Sequence, residues 1–239
     1  MNEKLKIAAL DLDGTLTQHK TPLDPQNRHA LDLLAQQYRL VILGAGDWRR
    51  IHRQLGGYPI DVIGGYGMQT ALYDHEAGEL ILQEDHRVPV DRETLLQRAA
   101  SLRQILGCTS FTGETLEFHS SGLLTFPSLG TAAALSDKLA YDPDRKKRRA
   151  MYPAVQEAFP EYRAFVGGSS SFDLAPQPFC KSYALKRYCS MLGLSAENAA
   201  FFGDDYGLGG NDEDVAKLAG RFIPVDDYRA FPQCAAQLL

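Results

Sequence analysis

Asp11-Leu12-Asp13-Gly14-Thr15-Leu16-Thr17 follows directly on Leu5-Lys6-Ile7-Ala8-Ala9-Leu10. The apolar run suits a strand buried on both faces of a parallel sheet. In such sheets ligand sites lie beyond the carboxyl ends of the strands, which is where Asp11 and Asp13 fall. Alternation along an extended chain separates both aspartates from Leu12, and Gly14 permits a sharp turn out of the sheet. Two carboxylates crowded at a strand end repel unless a cation or a proton stands between them. A second acidic group, Asp204-Asp205 and then Asp212, follows another apolar run, Ala199-Ala200-Phe201-Phe202. If the two strands are neighbours, Asp11, Asp13, Asp204 and Asp212 converge. Hard oxygen ligands without histidine or cysteine suit Mg²⁺.

Outward from this stretch the chain alternates. Asp24-Pro25 offers a helix cap with proline at the first helical position, and Ala30, Leu31, Leu33 and Leu34 follow at helical spacing. Leu40–Leu43 reads as a second strand ending in Gly44-Ala45-Gly46, Asp47 caps a further helix, and Asp61–Gly65 reads as a third strand. This rhythm predicts an α/β, Rossmannoid parallel-sheet core. Near residue 85 the pattern changes. A helix over Asp91–Leu106, short strands at 115–118 and 123–126 joined through Ser120-Ser121-Gly122, a helix from Asp144 to about Phe159, and strands at 163–166 and 171–174 describe an inserted α+β domain. The expected division is a core at 1–86 and 178–239 and an insertion at 87–177.

The 239 residues carry 25 basic and 30 acidic side chains, a formal charge of -5. An acidic chain does not suit nucleic-acid binding, which needs clustered positive charge. No apolar run reaches the ~20 residues needed to span a bilayer. Cys108, Cys180, Cys189 and Cys234 form no CxxC pair, so neither a zinc site nor a disulfide framework is indicated, and a cytoplasmic location is expected. The run Arg145-Lys146-Lys147-Arg148-Arg149 reads as a solvated helix face capped by Asp144.

The string DLDGTLT resembles the nucleophile motif of the haloacid dehalogenase (HAD) superfamily. Gly167-Gly168-Ser169-Ser170-Ser171-Phe172-Asp173, then Cys180-Lys181, then FFGDDYGLGGND resemble the eukaryotic-type α-phosphomannomutases and their capped phosphatase relatives. The resemblance implies that the insertion is a cap and that Asp11 is the nucleophile, forming an aspartyl-phosphate. It makes Asp13 the general acid and base, and gives Lys181 the neutralisation of charge on the phosphoryl oxygens. Asp204 would hold Mg²⁺ with Asp11 and the carbonyl of Asp13. Asp212 would orient the metal's waters or support Lys181, and Ser171 and Asp173 would contact substrate.

Two departures from the family pattern matter. Gly46 stands where the family carries a phosphate-binding hydroxyl. Backbone N–H groups around Gly46 and Asp47 at the helix start can still bind an anion. A lost hydrogen bond to a charged group costs ~1.5–3 kcal/mol, or ~10–100-fold in rate. In the insertion, the places of the mutases' phosphate-gripping arginines fall at about Thr112, His119 and Thr131. The expected function is therefore Mg²⁺-dependent hydrolysis of a small phosphomonoester, a sugar phosphate by preference. A phosphosugar mutase is the first alternative, and a non-catalytic phosphate-binding protein the second.

Overall fold

The structure is a computed structural model, described over residues 5–239. β1 (Ile7–Leu10) is buried along its whole length. Its alternate residues feed two separate cores. Ala8 and Leu10 join the cluster containing Leu31, Leu34, Ile51 and Phe231, whereas Ile7 and Ala9 join that of Leu185, Tyr188 and Val215. A strand with helices against both faces has no polar side, which is why its sequence reads as an unbroken apolar run.

α1 (Pro25–Ala35) starts at Asp24, whose carboxylate accepts the N–H groups of Gln26 and Asn27. β2 (Arg39–Leu43) leads through Gly44-Ala45-Gly46 into α2 (Trp48–Gln54). β3 (Asp61–Gly64) is followed by β4 (Gln69–Asp74) and β5 (Glu79–Asp85). The chain then forms α3 (Arg92–Leu106), β6 (Glu117–Phe118), β7 (Leu124–Pro127), α4 (Leu135–Tyr141), α5 (Lys146–Ala158), β8 (Tyr162–Gly167) and β9 (Ser171–Pro176). It closes with α6 (Lys181–Met191), β10 (Ala199–Gly203), α7 (Glu213–Leu218), β11 (Arg221–Pro224) and α8 (Phe231–Ala235).

Two compact units result. One runs to His86 and takes in Cys180–Gly207 and Asp212–Leu239; the other comprises Arg87–Phe179 and Leu208–Asn211. The first contains a seven-stranded sheet in the order β11-β10-β1-β2-β3-β4-β5. β1 pairs in parallel with both β2 and β10. The sheet is extended at one edge by β4, which runs antiparallel to β3, and by β5, which runs antiparallel to β4. The parallel rhythm of the sequence does not include this hairpin.

The second unit is built on an antiparallel sheet, β6-β7-β9-β8. Leu124, Phe126, Phe172, Leu174, Ala164 and Val166 pack with Leu95, Ala99 and Leu102 of α3 and Val155 of α5. Each large apolar side chain so buried stabilises by ~1.5–3 kcal/mol relative to an exposed one. The period of two places Thr125, Asp173 and Phe165 in one row on the opposite face.

The basic run differs from its sequence reading. Arg148 is 1% exposed. Its Nε lies 2.9 Å from Asp142 Oδ2, and its Nη1 donates to the carbonyls of Gly167, Gly168 and Ser171. Arg103, also buried, donates to the carbonyls of Cys108, Thr115, Pro127 and Ser128. Both guanidiniums tie loops to the small sheet from within. No helix among the described residues is long and apolar enough to cross a membrane.

Candidate active site

The register of β1 against β10 pairs Leu10 with Phe202, and Asp11 N–H donates to the Phe202 carbonyl at 2.9 Å. The residues just beyond those strands, Asp11 and Asp204, are thereby brought side by side. One carboxylate oxygen from each of Asp11, Asp204 and Asp212 lies within 4.8 Å of the others. Asp11 and Asp212 are buried and Asp204 is half-buried.

Gly14 is required here on two counts. Its φ is +105°, and a Cβ on it would lie 2.7 Å from Asp204 Oδ2. The turn it makes is closed by Gly14 N–H donating to the Thr17 carbonyl at 2.7 Å. The fully buried Thr15 hydroxyl reaches Asp204 Oδ1 at 3.5 Å.

Lys181, in the first turn of α6, is 1% exposed. Its ammonium lies 2.5 Å from Asp11 Oδ1 and 2.7 Å from Asp212 Oδ1. Asp212 spends its other oxygen on the Asp205 N–H at 3.0 Å. The carboxylates thus have separate roles. Asp212 fixes Lys181 and the loop, which leaves Asp204 beside Asp11. Burial, opposed by Lys181 and reinforced by the negative charges of Asp212 and Asp204, pushes the Asp11 carboxyl well above its ordinary range. Burial works against charge on Lys181, but Asp11 and Asp212 outweigh it and hold the ammonium protonated. One ammonium facing three carboxylates leaves the cluster with excess negative charge. Its donors are oxygens only, so it fits a hard divalent cation.

Asp13 is not in this cluster. Its Oδ1 accepts from the Lys20 N–H and from Gln54 Nε2, each at 2.8 Å, and its Oδ2 lies 3.5 Å from Arg50 Nη2. Burial disfavours the carboxylate, but the hydrogen bonds from Gln54 and Lys20, with the charge of Arg50, outweigh it and lower the Asp13 carboxyl. In this arrangement Asp13 is held as a base.

Gly46 and Asp47 occupy the turn into α2. Asp47 is the cap of that helix, accepting the N–H groups of Arg49 and Arg50 at 2.9 and 3.3 Å, while the Trp48 N–H donates to Gln69 Oε1 at 3.2 Å. The N–H groups of Trp48, Arg49 and Arg50 in the first turn of α2 are therefore engaged by the protein's own oxygens.

Ser171 and Asp173 belong to the second unit. There Ser171 Oγ donates to the Gly167 carbonyl at 3.2 Å, and Asp173 Oδ1 accepts from the Thr125 hydroxyl at 3.4 Å. That hydroxyl also pairs with His119 Nε2 at 3.0 Å. Sequence reasoning did not single out Thr15, Asp205, Lys20, Arg50 or Gln54. The only sequence signal for the last two is their i, i+4 spacing in the turn after Asp47.

A Rossmannoid sheet with an α+β insertion, and an Asp-x-Asp strand end facing a buried lysine and further aspartates, define a HAD-superfamily enzyme. A profile of the eukaryotic phosphomannomutase family matches residues 28–220. The chain belongs to that family. It is 28% identical over 217 residues to a phosphomannomutase of Solanum lycopersicum, covering 87% of this chain and 84% of the relative. It is 24% identical over 219 residues to phosphomannomutase 1 of Homo sapiens, covering 87% and 82%. Among solved structures, a HAD subclass IIB sugar phosphatase superposes with a TM-score of 0.63 at 15% identity, covering 98% of each chain. An IMP-bound IMP-nucleotidase of Plasmodium falciparum gives 0.73 at 13% identity, covering 98% of this chain and 68% of that one. At such identities these two establish the fold alone.

Proposed function

We propose that the chain is a Mg²⁺-dependent phosphatase of small phosphomonoesters, with a sugar phosphate as its substrate class and the cytosol as its location. The observation that carries phosphoryl transfer is the buried Asp11–Lys181 pair at the end of β1. Lys181 holds one oxygen of Asp11, and the other attacks phosphorus as the bond to the leaving oxygen breaks. Asp13 gives its proton to that oxygen. It then takes a proton from the water that attacks the aspartyl-phosphate, freeing Asp11 and inorganic phosphate. Asp11, Asp204 and the Asp13 carbonyl would hold Mg²⁺, which when bound neutralises charge on the transferring phosphoryl group. The resting contacts of Asp13 favour the base needed in the second step. For the first step substrate must loosen the grip of Gln54, Lys20 and Arg50. Ser171 and Asp173 would contact the substrate.

Hydrolysis is preferred over isomerisation because a mutase must retain a bisphosphate while it reorients, which calls for a cationic grip on the distal phosphate. The places at Thr112, His119 and Thr131 supply no arginine. Arg148, the obvious substitute nearby in sequence, is committed to Asp142 and buried carbonyls. The family match favours the second reading, a phosphomannomutase. Lys138, whose Nζ donates to the Thr131 carbonyl at 2.8 Å, would be its first candidate for the grip.

One reaction separates the readings. Mannose 1-phosphate or glucose 1-phosphate is supplied with a hexose 1,6-bisphosphate and Mg²⁺, alongside a panel of phosphomonoesters, and both 6-phosphate and inorganic phosphate are quantified. The phosphatase reading expects phosphate to dominate. Isomerisation exceeding phosphate release would establish the mutase.

A further inference from the structure

Gly46 leaves a space, and Arg50 fills it. A Cβ built on Gly46 would lie 2.1 Å from Arg50 Nη2, 2.5 Å from Nε and 2.6 Å from Cζ. The guanidinium is thus seated over the bare backbone of the turn. It is fixed there by Nη1, which donates to Gln54 Oε1 at 2.8 Å, and by Nη2, 3.5 Å from Asp13 Oδ2. Gln54 is itself bound to Asp13 and to Thr17 Oγ1, each at 2.8 Å. The seat is therefore part of the same network that orients Asp13.

Arg50 also faces outward. It lines a cavity of about 290 Å³ with Lys20, Pro22, Arg53 and Gln54. Those lining residues bring three cationic side chains and no carboxylate. A guanidinium has five N–H donors in a planar fork matched to phosphate oxygens, and the two bonds above engage one on each terminal nitrogen. The first N–H groups of α2 are spent, those of Arg49 and Arg50 on Asp47 and that of Trp48 on Gln69. Arg50 thus sets a cation both beside Asp13 and on the wall of this basic depression, placed to hold a phosphoryl group on this side of the site.

We propose that Arg50 is a phosphate-binding residue: its guanidinium donates to the phosphoryl oxygens on the side facing Asp13, and Gly46 is bare because a side chain there would displace it. The inference rests on the reading of this site as a phosphoryl-transfer centre, and it adds the residue that makes good the absent hydroxyl.

The test is a titration with inorganic phosphate, followed by calorimetry or ³¹P resonance in the presence of Mg²⁺. It compares the wild type with Arg50→Ala, Arg50→Lys, Gly46→Ser and the Gly46→Ser/Arg50→Ala double variant. Melting temperatures accompany each, to confirm that the half-exposed position leaves the fold intact. Arg50→Ala should weaken phosphate binding by ~10–100-fold, the value of charged hydrogen bonds, and Arg50→Lys by less. Gly46→Ser alone should also weaken it, because the new Cβ evicts the guanidinium. In the double variant the serine has room, and binding should recover above Arg50→Ala. Unchanged affinity in Arg50→Ala, tighter binding in Gly46→Ser, or no recovery in the double variant would each overturn the proposal. Turnover plays no part in the titration. A chain that hydrolyses no phosphomonoester but loses phosphate with Arg50→Ala would defeat the phosphatase reading and uphold this one.

Discussion

Lys181 in the first unit and Arg148 in the second are equally hidden from water, at 1% exposure each, and each meets an aspartate at hydrogen-bond distance. Their surroundings differ in one respect. Arg148 is balanced: one carboxylate, Asp142, takes its charge, and carbonyls of the β8–β9 turn take its remaining donors. Lys181 is outnumbered by Asp11, Asp204 and Asp212. A buried charge that is fully answered fastens a loop. A buried cluster left with surplus charge is unstable by itself and is completed by something that binds.

The sharpest way to break this contrast is Asp11→Asn. Turnover should vanish, since the amide is no nucleophile, and no phosphoenzyme should form on rapid quench with labelled substrate. The same change relieves the surplus charge, so the metal-free variant should melt above the metal-free wild type. A gain of about 1 kcal/mol is ~2–4 °C for a chain of this size. A lower melting temperature would show that Asp11 stabilises the cluster, contrary to its raised pKa. Next comes Asp13→Asn. Loss of a general acid–base costs ~10²–10⁴-fold in rate, while Mg²⁺ affinity, measured by calorimetry, should hold because the Asp13 carboxylate lies outside the cluster.

Arg148→Met tests the balanced partner. Removing one member of a buried pair costs ~3–5 kcal/mol, read as a shifted denaturation midpoint. Replacing Asp142 as well should recover little, because the carbonyls of Gly167 and Gly168 still lose their donor. Full recovery would mean that only the ion pair mattered.

The smallest effect is in acid. Burial opposes ionisation of Asp142, but bonds to the backbone and side chain of Arg148 hold its carboxyl low. Its stabilisation is complete above the ordinary carboxylate range near ~4 and is lost as pH falls through its depressed native value. Asp11, held high, has the opposite sign: it costs stability at neutral pH and returns it as pH falls through its raised value. Segment-resolved hydrogen exchange on metal-free protein should therefore show the first unit firming on mild acidification, with the second unit loosening only at lower pH. A common response of both units would remove the distinction.

The strand end at Asp11 and the second acidic group were legible because a run of apolar residues closed by aspartates has few other uses in a soluble chain. Lys181 was legible only through the motif around it. The β4–β5 hairpin was not, because an edge strand such as Glu79–Asp85 buries only Leu80 and otherwise alternates exposed and partly buried residues, and so resembles a polar connection. Arg148 could not be told from the four basic residues beside it, since its partner Asp142 is chosen by the path of a loop. Gly46 was visible as a deficit. Its remedy, one helical turn onward at Arg50, depends on where a long side chain folds back, and local sequence carries no record of that.

The position of β1 has a consequence for how the protein is made. Its neighbours in the sheet are β2, completed at residue 43, and β10, which begins only at residue 199. When the ribosome has delivered residue 179, the sequence of the second unit is complete but for Leu208–Asn211, whereas one edge of β1 still lacks its partner. Asp11 at that stage has neither Lys181 nor Asp204 beside it. An unpaired apolar strand edge invites association with other chains, so the interval between residue 179 and the completion of β10 at Gly203 is the one in which a nascent chain most needs shielding. Truncations near residue 180 should accumulate as insoluble material rather than as a weakened enzyme.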